Sequence, residues 1–123
     1  MTKSKLTEIA EKWIEAFCEH DTEKLISLYG ERARHYSPRV EKEKPETNGW
    51  LEGREQLKDW WKNCFKQSPS LSYALTAITS GKGKVFIEYV RTVAGEPNSE
   101  VMEYLKVKNK LIIESRVLRS WPI

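Results

Sequence analysis

At 123 residues, with 39% apolar and 32% charged side chains, the chain has room for one hydrophobic core and is too interrupted by charge for a membrane span of ~20 apolar residues. Its net charge of +3, from 21 basic and 18 acidic residues mixed along the chain, argues against nucleic-acid binding. Histidine is confined to His20 and His35, aspartate to Asp21 and Asp59, and no HExxH, CxxC, GxSxG or phosphate-cradling glycine motif occurs, so no metal and no cofactor is expected.

In chain order, Leu6, Ile9, Ala10, Trp13 and Phe17 fall at the three-four spacing of one helical stripe, with Lys5, Glu8, Glu11, Lys12 and Glu15 toward water. No apolar leader precedes this helix, and cytoplasmic residence with Cys18 and Cys64 as thiols is expected. The helix should end near His20, predicted at the surface, and Asp21 should cap a second helix through the amide of Glu23 or Lys24. That helix carries Leu25, Leu28 and Tyr29 inward and stops at Gly30 in a left-handed C-cap.

Residues 33–38 read as a short strand closed by Pro38, and residues 39–48 as a polar, solvated loop. A second short strand at 49–51 can pair with the first. Gly53 opens a third helix with Leu57, Trp60, Trp61, Cys64 and Phe65 on its apolar face, and Pro69 prevents its continuation. Residues 70–80 alternate weakly, and three long antiparallel strands follow at 84–93, 99–107 and 110–121. The order is α+β in a single domain spanning 1–123, three helices on one face of a curved antiparallel sheet.

This order resembles the nuclear transport factor 2-like superfamily, in particular its SnoaL-like branch. The residues that carry the resemblance are 16–21 leading to 25–29, Ser37-Pro38, 53–57 opening a helix with Trp60-Trp61, and 109–112 turning into the last strand. The resemblance implies a cone-shaped, cystatin-like roll open at one end into an apolar pocket, often dimeric through the outer face of the sheet. Compared with the steroid isomerase branch, Trp13 stands where that branch has a tyrosine donor, and Ser37, before Pro38, stands where it has its catalytic aspartate. A serine hydroxyl cannot serve as the proton-abstracting base, so that mechanism is lost. The paired aspartates of the epoxide hydrolase branch are missing as well.

Strand alternation, with Arg91 set opposite Glu103 and Ser115 opposite Glu103 on the next strand, puts Val85, Ile87, Tyr89, Arg91, Val101, Glu103, Leu105, Val107, Leu111, Ile113, Ser115, Val117, Arg119 and Trp121 on the concave face. The pocket is therefore expected to be lined by Trp13, Phe17, Trp50, Trp61, Tyr89, Arg91, Ser115 and Arg119 and to take a small apolar molecule. Glu103 and His35 are the candidate catalytic groups. Arg91 and Glu103 admit two readings, a structural cross-strand ion pair or a proton-transferring carboxylate at Glu103, and His35 is either a locally bonded strand residue or a titrating group. The opposite face, with Phe86, Val90, Met102, Tyr104 and Leu118, is too apolar to be left to water and predicts a homodimer, with Glu88, Glu114 and Arg116 in a charged network. A binding or scaffold module working through that outer face, without turnover, is the alternative function.

Overall fold

The stripe beginning at Leu6 becomes α1 (Lys5–Glu19): in the computed structural model, which describes residues 4–122, Ile9, Ala10, Trp13, Ala16 and Phe17 are buried along one side. Ser4 caps it by accepting the Thr7 amide at 3.1 Å, and His20 ends it in the left-handed region at φ 54°. His20 is half-buried rather than on the surface, because its ring stacks on Phe65 at 4.7 Å and its Nε2 lies 2.7 Å from the Leu71 carbonyl. Asp21 caps α2 (Thr22–Ser27) through the Lys24 amide at 3.0 Å.

The helix α2 stops at Leu28, and Gly30 is a residue of β1 (Tyr29–Tyr36) rather than a left-handed cap. The Leu28 carbonyl accepts the Ile112 amide at 2.8 Å, so pairing with the last strand takes the place of a further helical turn. Residues 39–48 are not a loop either. Ser37 accepts the Val40 amide at 3.1 Å and caps α3 (Pro38–Glu43), Pro38 occupies the first helical position, and a single turn of 3-10 helix follows at Pro45–Thr47. One fully buried side chain, Val40, anchors this charged stretch, which is why composition alone reads as solvated chain. Gly49 follows at φ +90°, where an added Cβ would stand 2.4 Å from the Tyr36 ring, so the turn needs glycine for both space and conformation. It leads into β2 (Trp50–Glu52) and α4 (Arg54–Gln67).

The remaining strands are β3 (Ser72–Ser80), β4 (Lys84–Thr92), β5 (Ser99–Lys108) and β6 (Leu111–Pro122). They form a curved six-stranded sheet in the order β2-β1-β6-β5-β4-β3 with the helices packed on it, an α+β roll as expected. The sheet is antiparallel except where β1 runs parallel to β6, which sets His35 beside Ser115. No helix among the described residues is long and apolar enough to cross a membrane.

The hairpin registers differ from expectation. Arg91 pairs with Ser99, while Glu103 pairs with Ile87 on one side and Val117 on the other. The expected Arg91–Glu103 ion pair is therefore not formed, and Arg91 Nη1 instead meets Glu96 at 2.9 Å. The slips on both sides of Glu103 are even, so it keeps its concave face. Two irregularities in the β5–β6 pairing, between Lys106 and Val107 and between Met102 and Glu103, change the face elsewhere. Ile112, expected outside, is fully buried while Leu111 is exposed, and Arg119 and Trp121 pair with Met102 and Glu100.

Candidate functional site

Four strands bring one polar side chain each to the concave side: His35 from β1, Tyr89 from β4, Glu103 from β5 and Ser115 from β6, all buried. Behind them Trp13 Nε1 donates to the Tyr29 hydroxyl at 3.0 Å, and Tyr29 donates to Ser115 Oγ at 2.8 Å. His35 Nδ1 lies 2.7 Å from the same Ser115 oxygen. An indole nitrogen can only donate, so the direction is fixed from Trp13 to Tyr29 to Ser115. Ser115 Oγ is thus shared by the Tyr29 hydroxyl and the His35 ring, and His35 itself borders the cavity.

Glu103 has a 2% exposed side chain, and its Oε1 accepts the Tyr89 hydroxyl at 2.8 Å. Burial pushes its carboxyl up to about 8, only partly offset by the Tyr89 bond. Burial also pushes His35 down to about 3 against a bond to the Ser115 backbone, and it keeps the phenols of Tyr29 and Tyr89 protonated. Near neutrality the pair is thus an acid and a neutral imidazole, and the 3.8 Å between His35 Nδ1 and Glu103 Oε2 is no ion pair. Glu103 Oε2 is buried and has no hydrogen-bond partner among the described residues. Of the two Glu103 oxygens it is the one that no hydrogen bond engages.

Both groups border an open cavity of about 620 Å³. Its floor is aromatic: Tyr73 stacks on Tyr89 at 4.2 Å and on Phe17 at 4.6 Å, while Trp61 meets Phe17 edge-on at 5.9 Å and His35 at 5.2 Å. Arg39, Lys42, Glu43, Arg91, Glu96, Ser99 and Ser120 lie toward solvent.

Of the residues expected here, Phe17, Trp61, Tyr89, Arg91, His35 and Glu103 line the cavity. Trp13 and Ser115 stand one layer behind it, fully buried, and act through Tyr29 and His35. Trp50 is elsewhere, half-exposed on the edge strand with the Arg34 guanidinium 4.2 Å over its ring. Arg119 is elsewhere too, because the irregularity beside Glu103 turns it outward to stack on Trp121 at 4.9 Å, and Ser120 lines the cavity instead. Tyr29, Tyr73, Arg39 and Lys42 were not singled out for the site, while Ser37, standing where the steroid isomerase branch has its catalytic aspartate, lines the cavity and caps α3. Tyr29 meets Ser115 across 86 positions through a parallel pairing that no local pattern announces. Among the described residues, no three His, Cys, Asp or Glu side chains converge as a metal set.

Residues 10–115 match the sequence profile of the SnoaL-like domain. Among curated proteins, none matches the chain. Among solved structures, a SnoaL-like protein of unknown function from Burkholderia thailandensis is similar at 21% identity and a TM-score of 0.87, over 98% of this chain and 97% of that one. A protein provisionally named a polyketide cyclase, from Sinorhizobium meliloti, shares 13% identity at a TM-score of 0.76, over 94% and 99%. A protein with a ketosteroid isomerase-like fold from Catenulispora acidiphila, in complex with trimethylamine, shares 18% at 0.72, over 91% and 85%. Identities of this size speak for the fold.

Proposed function

Because this chain belongs to the SnoaL-like domain family, we propose that it binds a small, largely apolar, ring-bearing molecule and moves a proton on it, an isomerase, cyclase or dehydratase type of reaction. The observation that carries this reading is the buried, unpartnered Oε2 of Glu103 beside an aromatic cavity. A carboxyl raised to about 8 is a much stronger base than an ordinary one and still exchanges its proton near neutral pH. In the proposed step Glu103 takes a proton from a ring carbon next to a carbonyl and returns it at another position. For this step the neutral His35 ring, held by Ser115 at Nδ1, must carry its proton on Nε2, from which it donates to the carbonyl oxygen as charge develops there.

Deuterium exchange into 1-tetralone, followed by proton NMR, tests this. The protein is expected to accelerate exchange with a rate that rises with pH and levels off above about 8, and Glu103→Gln to lower it by ~10²–10⁴-fold. Saturable binding without acceleration overturns catalysis and favours a binding module. Absence of saturable binding, with no difference between wild type and a Val117→Phe variant that fills the cavity, overturns the pocket itself.

The second reading rests on the outer sheet face, where Phe86 is 37% and Leu118 45% exposed. There Arg34 pairs with Glu114 at 2.7 Å, Tyr104 donates to Glu114, and Arg116 lies over the rings of Tyr36 and Trp50 at 5.3 and 5.8 Å. The network recruits Arg34, Tyr104, Tyr36 and Trp50 around the expected Glu114 and Arg116, while Glu88, expected with them, shows no side-chain bond among the described residues, only its backbone carbonyl accepting from Thr76. With both signs of charge around an apolar centre, this face is complementary to itself, and a second copy of the chain is its proposed occupant, through Phe86, Val90, Met102, Tyr104 and Leu118. Light scattering at micromolar concentration is expected to give a dimer that Leu118→Glu converts to monomer. A monomeric wild type ends this proposal.

A further inference from the structure

The cavity has a polarity of its own. Exposure rises from the buried floor to a mouth where the Arg39 and Arg91 side chains are 38% and 21% exposed and their partners Glu43 and Glu96 are 41% and 50% exposed. Arg39 Nε meets Glu43 at 2.8 Å and its Nη2 reaches Gln67 at 3.4 Å, whereas Arg91 engages Glu96 through Nη1 alone. Among the described residues the Arg91 guanidinium, which borders the cavity, shows no hydrogen bond beyond the one to Glu96. Both guanidiniums border the same cavity as Cys64, whose thiol is pushed up by burial, pulled down by Arg39, pushed up again by Glu43 and pulled down by Arg91. Lys42 adds a third cation to a mouth whose carboxylates are Glu43 and Glu96, while Glu103 is uncharged near neutrality, which leaves the cavity one positive charge in excess.

We propose that the ligand is an apolar ring system bearing a carboxylate, the ring lying on the floor of Phe17, Trp61, Tyr73 and Tyr89 and the carboxylate held at the mouth by Arg91 and Arg39. A guanidinium fork fits a carboxylate through paired N–H bonds, and charge-assisted bonds of this kind are the stronger class. A neutral ligand of the same shape would cover the unengaged N–H groups of Arg91 without replacing the water it displaces. The floor supplies apolar area for the body of the molecule and the mouth supplies its orientation, so the ring atoms are presented to Glu103 in one sense. This deepens the proposed function and rests on its assignment of the cavity as the working site.

The test is a probe series with one ring and three charges: 2-naphthoate, 2-naphthamide and 2-naphthylmethylammonium, titrated at neutral pH and low salt by tryptophan fluorescence. The naphthoate is expected to bind about tenfold tighter than the amide, with a preference that shrinks as salt is added. Arg91→Gln is expected to bring the ratio close to one, and Arg39→Gln to lower it in parallel, with circular dichroism reporting the fold of each variant. Equal binding of naphthoate and amide overturns the carboxylate proposal and leaves the cavity reading intact, as does tightest binding of the ammonium probe. Failure of all three probes to saturate overturns the cavity reading and this proposal with it.

Discussion

Between about pH 4.5 and 8, the stability of Glu103→Gln relative to wild type is expected to rise by about 5 kcal/mol. The carboxyl ionises near 4.5 in the unfolded chain and about 8 in the folded one, with burial as the cause. A group whose folded pKa is raised contributes stability that is complete below the unfolded value and is lost as pH rises through the folded value. His35 runs the other way, from 6.5 unfolded down to about 3 folded, so its contribution is complete above 6.5 and is lost as pH falls toward 3. Between 4.5 and 6.5 the folded pair, acid and neutral imidazole, binds as many protons as the unfolded pair, carboxylate and imidazolium. The contribution of this pair to wild-type stability is therefore flat over that window and falls by about 2 kcal/mol on each side of it. Removing Glu103 abolishes the alkaline fall, and His35→Gln abolishes the acid one. Urea unfolding followed by circular dichroism across this range measures all three curves, and parallel curves for wild type and Glu103→Gln would show that the carboxyl is not held neutral.

Trp13→Ala is expected to cost about 3–5 kcal/mol of folding stability, close to the whole margin of a domain this size. The indole is fully buried and packs on Phe17 at 4.5 Å and Tyr89 at 5.8 Å, so its loss leaves a void that neighbours on both the helix and the sheet line. It also removes the only donor to the Tyr29 hydroxyl seen among the described residues, at the head of the bonds that run through Ser115 to His35. Trp13→Phe separates the two effects: it keeps most of the ring volume and removes the N–H, for a cost of about 1–2 kcal/mol. Denaturant midpoints at constant slope give both numbers. A loss under about 1 kcal/mol for Trp13→Ala would show that the helix and sheet close over the space.

Much of this architecture follows from local patterning. The stripe Ile9, Ala10, Trp13, Phe17 could only be a helix with one buried side, and Asp21 before Thr22 could only cap the next. Alternation along 84–92 and 99–108 also placed Tyr89 and Glu103 on the same face, and because the pairing error at Glu103 was by even steps, that face survived. Where alternation broke, at the irregularities of β6, the assignments of Ile112 and Arg119 broke with it, since one extra residue reverses every side chain beyond it.

By itself, then, the sequence determined α1, α2 and α4, the meander, the family resemblance and the presence of a carboxyl and an imidazole on strands facing the helices, but not α3. Only the tertiary structure decided what those groups are. The parallel pairing of β1 with β6 joins Tyr29 and His35 to Ser115 over separations of 86 and 80 positions, and hydrogen bonds at that range leave no trace in spacing. The charge of Glu103 is likewise a property of its surroundings: a carboxyl is an ordinary acid in water, and it becomes a group that ionises at about 8 because aromatic side chains from α1, α4, β3 and β4 exclude the solvent that would stabilise its anion.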